Sequence, residues 1–156
     1  MIQNAFLNIV LYTPQIPWNT GAIGRTCVAL DARLILIHPI NFSLDDKYLR
    51  RAGMDYWPHL QLTEYDNWQQ FLEQESPSVQ QLFFLSAKVN TPYYEAHFSR
   101  GDYLVFGSET SGLPEEIHEN YADRLFTLPM PSRKVRSLNL ANTATAVAYE
   151  ALRQIR

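Results

Sequence analysis

The sequence predicts an α/β protein, a parallel sheet covered by helices on both faces. Three observations carry this. Short apolar, β-branched runs alternate with stretches of helical spacing along the whole chain. The runs are continuously apolar instead of alternating with polar residues, as expected for strands buried on both faces. Prolines punctuate the ends of several runs, where the chain must leave the sheet. At 156 residues the chain reads as a single domain over 1–156, large enough for a real core.

Phe6 to Tyr12 is the first strand, ended by Pro14 and Pro17. Asn19-Thr20 then reads as the cap of a helix to about Leu30, with Gly21 and Gly24 in its first turns. Arg33 to His38 is a second buried strand, closed by Pro39. Ser43 or Asp45 opens a short helix that carries Lys47, Arg50 and Arg51 and stops at Gly53. Leu60 to Tyr65 is the third strand, and Asp66 is the expected cap of a helix with Trp68, Phe71 and Leu72 at helical spacing. Leu82 to Leu85 and Tyr103 to Phe106 follow as strands, with a mobile loop expected between Tyr93 and Arg100. Pro114 suits the first turn of a helix to about Asn120. Leu125 to Leu128 is the sixth strand, and the last helix runs from about Asn139 to Gln154. Its alanines 141, 144, 148 and 151 recur three and four residues apart, a smooth face fit to approach the sheet or a second copy of the chain.

With 46% hydrophobic and 19% charged residues, the composition is globular. No apolar run approaches the ~20 residues that span a bilayer, and the N-terminus lacks the pattern of a signal peptide. The lone Cys27 excludes an internal disulfide, and its scarcity fits a cytoplasmic protein. The scattered histidines 38, 59, 97 and 118 argue against a metal site. A net charge of −3 excludes a broad basic face, so any nucleic-acid contact must be a local patch. Two patches qualify: Lys47, Arg50 and Arg51, and the run after Asp123 that includes Arg133, Lys134 and Arg136. Ordinary solvated surface explains either cluster equally well.

Three segments read as candidate sites. Asn19 to Arg25 lies directly after the first strand, where α/β folds place binding loops. Arg25 sits near the positive end of its helix, which favours acids, so an anion or polar ligand is expected before it. Phe106-Gly107-Ser108-Glu109 leaves a buried strand through a glycine that permits close backbone approach. It is neither a nucleophile elbow nor a phosphate loop. Arg124 to Val147 joins a strand, two prolines, a basic loop and a helix start at Ser137 to Asn142. Helix capping alone would account for Ser137 and Asn139, and a helix-start carboxylate for Glu109.

Together and in this order, Asn19-x-Gly21-x-x-x-Arg25, Phe106-Gly107-x-Glu109-x-x-Gly112-Leu113-Pro114, and Leu128-Pro129-Met130 followed by Arg136-Ser137-Leu138-Asn139-Leu140-x-Asn142 resemble the three motifs of the SpoU–TrmD (SPOUT) RNA methyltransferases. Asp45 to Tyr56 and Ala148-Tyr149-Glu150-Ala151 extend the resemblance to the small TrmL, or YibK, subgroup over essentially the whole chain. The resemblance implies a deep C-terminal trefoil knot, which general topology rules would not predict. It implies a homodimer with active sites completed across the interface. It also implies S-adenosylmethionine as cofactor and methyl transfer to the ribose 2′-hydroxyl of the wobble nucleotide of leucine tRNAs.

By position, Leu85, Gly107, Leu128, Met130, Ser137 and Leu138 would form the cofactor pocket. Arg25 would be the catalytic arginine, with Asn19, Glu109 and Asn139 fixing it and the ribose. Arginine is a poor base because its ordinary pKa lies far above neutrality, so an orienting role is expected. Arg136 and Tyr149 would meet the RNA or the facing subunit, and Lys47, Arg50, Arg51, Arg133 and Lys134 would hold phosphates. Ser108 stands where the family usually has proline, and the loop from Pro131 to Val135 is longer than in the family. Methylation of another tRNA or ribosomal RNA nucleotide, or RNA binding without catalysis, are the competing readings.

Overall fold

The computed structural model describes residues 5–44 and 55–156. Among them, six strands form one sheet: β1 (Asn8–Tyr12), β2 (Arg33–Ile37), β3 (Gln61–Tyr65), β4 (Leu82–Leu85), β5 (Tyr103–Phe106) and β6 (Leu125–Phe126). Their order is β3-β2-β1-β5-β4-β6, and every pairing is parallel. The described α-helices are α1 (Pro17–Leu30), α2 (Trp68–Glu75), α3 (Glu115–Asn120) and α4 (Leu140–Ile155). The sheet grows outward from β1 to β3, then the chain crosses to β4 and inserts β5 beside β1. Strand order therefore reverses between β1 and β5, the place where open α/β sheets bind ligands at their carboxyl ends.

Alternate residues of each central strand feed two cores, as the pleat requires. Ile9, Leu11, Leu34, Leu36, Leu104 and Phe106 pack with Ile23 and Cys27 of α1 and with the alanines of α4. Val10, Ile35, Ile37, Phe84 and Val105 pack with Phe71 of α2 and Ile117 of α3. Ala144, Ala148 and Ala151 are fully buried, so the smooth face of α4 packs within its own chain. Small side chains there let α4 lie close to α1, where the Thr26 and Thr145 hydroxyls meet at 2.8 Å. Gly24 serves a similar end, because a Cβ there would lie 2.7 Å from the Trp57 ring.

One polar cluster is tied into the second core. Glu75 accepts from Arg33, Tyr65 and, at 2.8 Å, Tyr103, while Arg33 Nε donates to Asn8 Oδ1 at 2.9 Å. Burial alone would push the Glu75 carboxyl up, but the hydrogen bonds from Arg33, Tyr65 and Tyr103 win and hold it below the ordinary range.

Several expected boundaries shift. Pro17 opens α1 instead of ending β1, because its missing N–H costs nothing at a first helical turn. The residue before it, Ile16, caps α1 without a side-chain bond, so Asn19 is not a cap. Asn67, and not Asp66, caps α2 by accepting from the Gln70 N–H at 2.8 Å. β6 stops at Phe126, two residues short of the expected end. The segment expected to be a mobile loop contains a turn of 3-10 helix at Tyr93–Glu95, and Ala96 and Phe98 enter the core. Gln154 of α4 holds it by bonding Phe98 N–H and the Ala96 carbonyl. The expected short helix with Lys47, Arg50 and Arg51 lies outside the described residues.

Candidate active site

At the carboxyl ends of β4, β5 and β6 and the start of α4 lies a cavity of about 740 Å³. Every residue expected in a cofactor pocket borders it: Leu85, Gly107, Leu128, Met130, Ser137 and Leu138. Leu85 and Gly107 arrive as the last residue of β4 and the first after β5. Leu128 and Met130 bracket Pro129, whose missing N–H keeps this backbone out of the sheet. Ser137 and Leu138 come from the irregular run into α4 and are exposed. Gly107 has to be glycine, since a Cβ there would lie 2.2 Å from the backbone of Gly112.

Asn19, Glu109 and Asn139 also border this cavity and form one hydrogen-bonded chain. Glu109 accepts from the backbone N–H of Gln15 at 2.8 Å and Ile16 at 2.9 Å, and from Asn19 Nδ2 at 3.1 Å. An ionised carboxylate only accepts, so the Asn19 amide must turn its nitrogen to Glu109 and its oxygen away. Asn139 Nδ2 donates to that oxygen at 3.1 Å, and Asn139 Oδ1 accepts from the Asn142 N–H at 3.1 Å. Asn139 is thus both the α4 cap and part of the site. The chain of bonds ties the β1–α1 turn, the β5 exit and the α4 start at one point.

The other expected residues are placed differently. Arg136 borders the cavity, whereas Arg133 and Lys134 are exposed on the loop beyond it. Tyr149 is 48% exposed on the outer side of α4. Arg25 is exposed and does not join the Asn19–Glu109–Asn139 chain. Its guanidinium lies 5.3 Å from the centre of the Tyr56 ring, and Tyr56 itself donates to the Gly21 carbonyl at 2.7 Å. Among the described residues, no cluster of His, Cys, Asp and Glu could hold a metal ion, and no helix is long and apolar enough to cross a membrane.

Sequence reasoning missed Ser86, Lys88 and His118, all on the cavity wall. The His118 Nδ1 faces the Pro114 carbonyl at 3.1 Å, so in the neutral ring Nδ1 carries the proton and Nε2 accepts from the Ser86 hydroxyl at 2.8 Å. Ser86 and Lys88 follow β4 as Gly107 follows β5, and that position was a usable signal. The part played by His118 depends on α3 folding across the end of β4, which no local pattern announces.

The chain matches the model of the SpoU rRNA methylase family over residues 6–149 and belongs to that family. The tRNA (cytidine(34)-2′-O)-methyltransferase of Saccharophagus degradans is 46% identical over 149 residues, covering 95% of each chain. The Escherichia coli enzyme of the same name is 45% identical over 150 residues, covering 96% of this chain and 94% of its own. A solved structure from work on 2′-OH methylation of C/U34 on tRNA superposes with a TM-score of 0.83 at 44% identity, covering 95% of each chain. The SpoU methyltransferase AviRb of Streptomyces viridochromogenes, in complex with AdoMet, superposes at 0.81 with 27% identity, covering 98% of this chain and 62% of AviRb.

Proposed function

We propose that this chain transfers a methyl group from S-adenosylmethionine to the ribose 2′-hydroxyl of the wobble nucleotide, cytidine or uridine 34, of leucine tRNAs. The observation that carries the reading is the Asn19–Glu109–Asn139 chain of hydrogen bonds at the mouth of the cavity. It fixes polar groups beside an apolar pocket, as a site needs that must hold a reactive group and orient an incoming hydroxyl. The names of relatives about 45% identical over nearly the whole chain support the substrate.

The residues present suit the cofactor. Leu85, Leu128, Met130 and Leu138 offer apolar surface for a purine ring, and the backbone beyond β6 has groups outside any ladder to meet its edge. The Ser137 hydroxyl and the Asn139 amide supply hydrogen bonds for the polar parts. When bound, S-adenosylmethionine supplies a methyl group on a positively charged sulfonium, so the acceptor oxygen needs orienting more than activating. Arg25 takes that role: its guanidinium holds the 2′-hydroxyl and stabilises charge developing on the oxygen, and the proton leaves to solvent. Because Arg25 stands apart from its own cavity, it serves the cavity of a second copy, in a homodimer built on the outer faces of α1 and α4. Exposed Trp18 on α1 and Tyr149 on α4 are the apolar surface such a pairing would cover. The segment between β6 and α4 is threaded as a trefoil knot in this reading, and Arg136, Arg133 and Lys134, with Lys47, Arg50 and Arg51, hold tRNA phosphates in the cytoplasm.

The test is transfer of labelled methyl to total tRNA, with cofactor binding measured by calorimetry. The protein is expected to label tRNA and bind the cofactor; neither label nor binding would refute the reading. Arg25→Ala is expected to lower turnover by about a hundredfold or more, the scale of losing a charge-stabilising donor, with cofactor affinity nearly unchanged. A mutant with normal turnover would remove Arg25 from the mechanism.

A further inference from the structure

A second cavity, of about 630 Å³, lies beside the first at the carboxyl ends of β1 and β2. The loop after β5 lies between them: Ser108, Ser111, Gly112 and Leu113 border both. That partition is thin, since the Gly112 N–H turns back to the Ser108 carbonyl at 3.0 Å. Lys88 also borders both cavities, is exposed, and has no ion-pair partner among the described residues. The rest of its lining includes the apolar Pro14, Pro39 and Ile40, with Asn41 beside them and Glu115 at the start of α3, next to the partition. Thr13 borders it with φ 46°, a left-handed conformation that a β-branched residue rarely adopts. Its N–H is held by the Ile37 carbonyl at 2.9 Å. Such strained backbone collects at ligand sites.

We infer that the second cavity receives the nucleobase adjoining the methylated nucleotide, with Lys88 at the phosphate between the two. This rests on the tRNA reading above. Bases of a single-stranded loop splay into neighbouring pockets and stack on flat side chains. A lysine at the partition fixes the phosphate register without reading sequence. Glu115 repels a phosphate from the second cavity itself and accepts from an amino group on a base edge, while Asn41 both donates and accepts. The two residues therefore favour a base that carries an exocyclic amino group.

The test uses an anticodon stem-loop RNA in three forms: intact, abasic at the 5′ neighbour of the target, and abasic at its 3′ neighbour. Wild type is expected to show a KM about tenfold or more higher for one abasic RNA, the scale of losing one stacked base. Ile40→Trp, which fills the cavity, raises KM for intact RNA similarly and adds little with that abasic RNA. Asn41 borders only the second cavity, so Asn41→Ala raises KM for intact RNA with cofactor affinity and melting temperature unchanged, and Lys88→Ala raises it as well. Equal KM for all three RNAs with wild type, or unchanged KM in Lys88→Ala and Ile40→Trp, overturns the inference while leaving methyl transfer standing. Variants that weaken cofactor binding as much as they weaken RNA binding also overturn it. No transfer to the intact RNA by wild type overturns both readings together.

Discussion

At the scale of single residues, Glu109 sets the direction of the site. A carboxylate that only accepts turns the Asn19 amide, and Asn19 in turn orients Asn139. Glu109→Gln puts an N–H where an acceptor is required, opposite either the Gln15 N–H or both the Ile16 N–H and the Asn19 amide. The expected cost is about 1–3 kcal/mol in stability, with a larger loss of methyl transfer, checked by urea denaturation beside a transfer assay. Asp102 makes a second prediction. Burial pushes its carboxyl up to about 6, against 3.8 for the unperturbed group, even though the Ser99 N–H and Arg124 oppose the shift. A folded pKa above the unfolded one means the folded state binds the extra proton between these values. Asp102 therefore lowers stability as pH rises from about 4 to about 6, and its cost is complete above that. Asp102→Asn keeps an acceptor for Ser99 and should raise the unfolding free energy at pH 7 by an amount on the order of 2 kcal/mol, with a higher melting temperature. It should also flatten the profile between pH 4 and 6; an unchanged profile would contradict the assignment.

At the scale of elements, the strands were readable because each central one is a continuous apolar run, and β1, β2, β4 and β5 fall where those runs lie. Helix starts were less readable. Asn19 and Asp66 have the chemistry of caps, but the chain used Pro17 to open α1 and Asn67 to cap α2, and it spent Asn19 on the site. Local propensity cannot anticipate a side chain claimed by a carboxylate ninety residues away. The candidate site was legible as three motifs in order, and the structure brings Asn19, Glu109, Asn139 and the six cavity residues together. Arg25 was legible as unusual, but its place on Tyr56 was not, because Tyr56 arrives from a loop after β2. The alanine face of α4 left two outcomes open, and burial decides for packing inside the chain. Ala144→Phe should accordingly destabilise the fold by about 1–3 kcal/mol or more, read by chemical denaturation. Unchanged stability would contradict the packing.

At the scale of the whole molecule, the described surface keeps a large exposed aromatic side chain on each of α1 and α4, Trp18 and Tyr149. Single exposed apolar residues are common, but two large aromatics on helices that pack together fit the face that the proposed dimer would cover. Trp18→Glu puts a charge on that face; if the proposed dimer forms there, light scattering should read a dimer for wild type and a monomer for the variant, with activity lost alongside. A dimer of unchanged mass would move the interface elsewhere and leave Arg25 without a cavity to serve. A chain with net charge −3 must hold RNA through local cations. Methyl transfer should therefore weaken steeply with salt.

In the proposed reaction the methyl group reaches the ribose of nucleotide 34. Mass-spectrometric nucleoside mapping of leucine tRNA, incubated with and without the protein, reads that position directly. A 2′-O-methylated cytidine or uridine at position 34, present only with the protein, is the predicted result. Methylation at any other nucleotide, or on a base instead of a ribose, would contradict it.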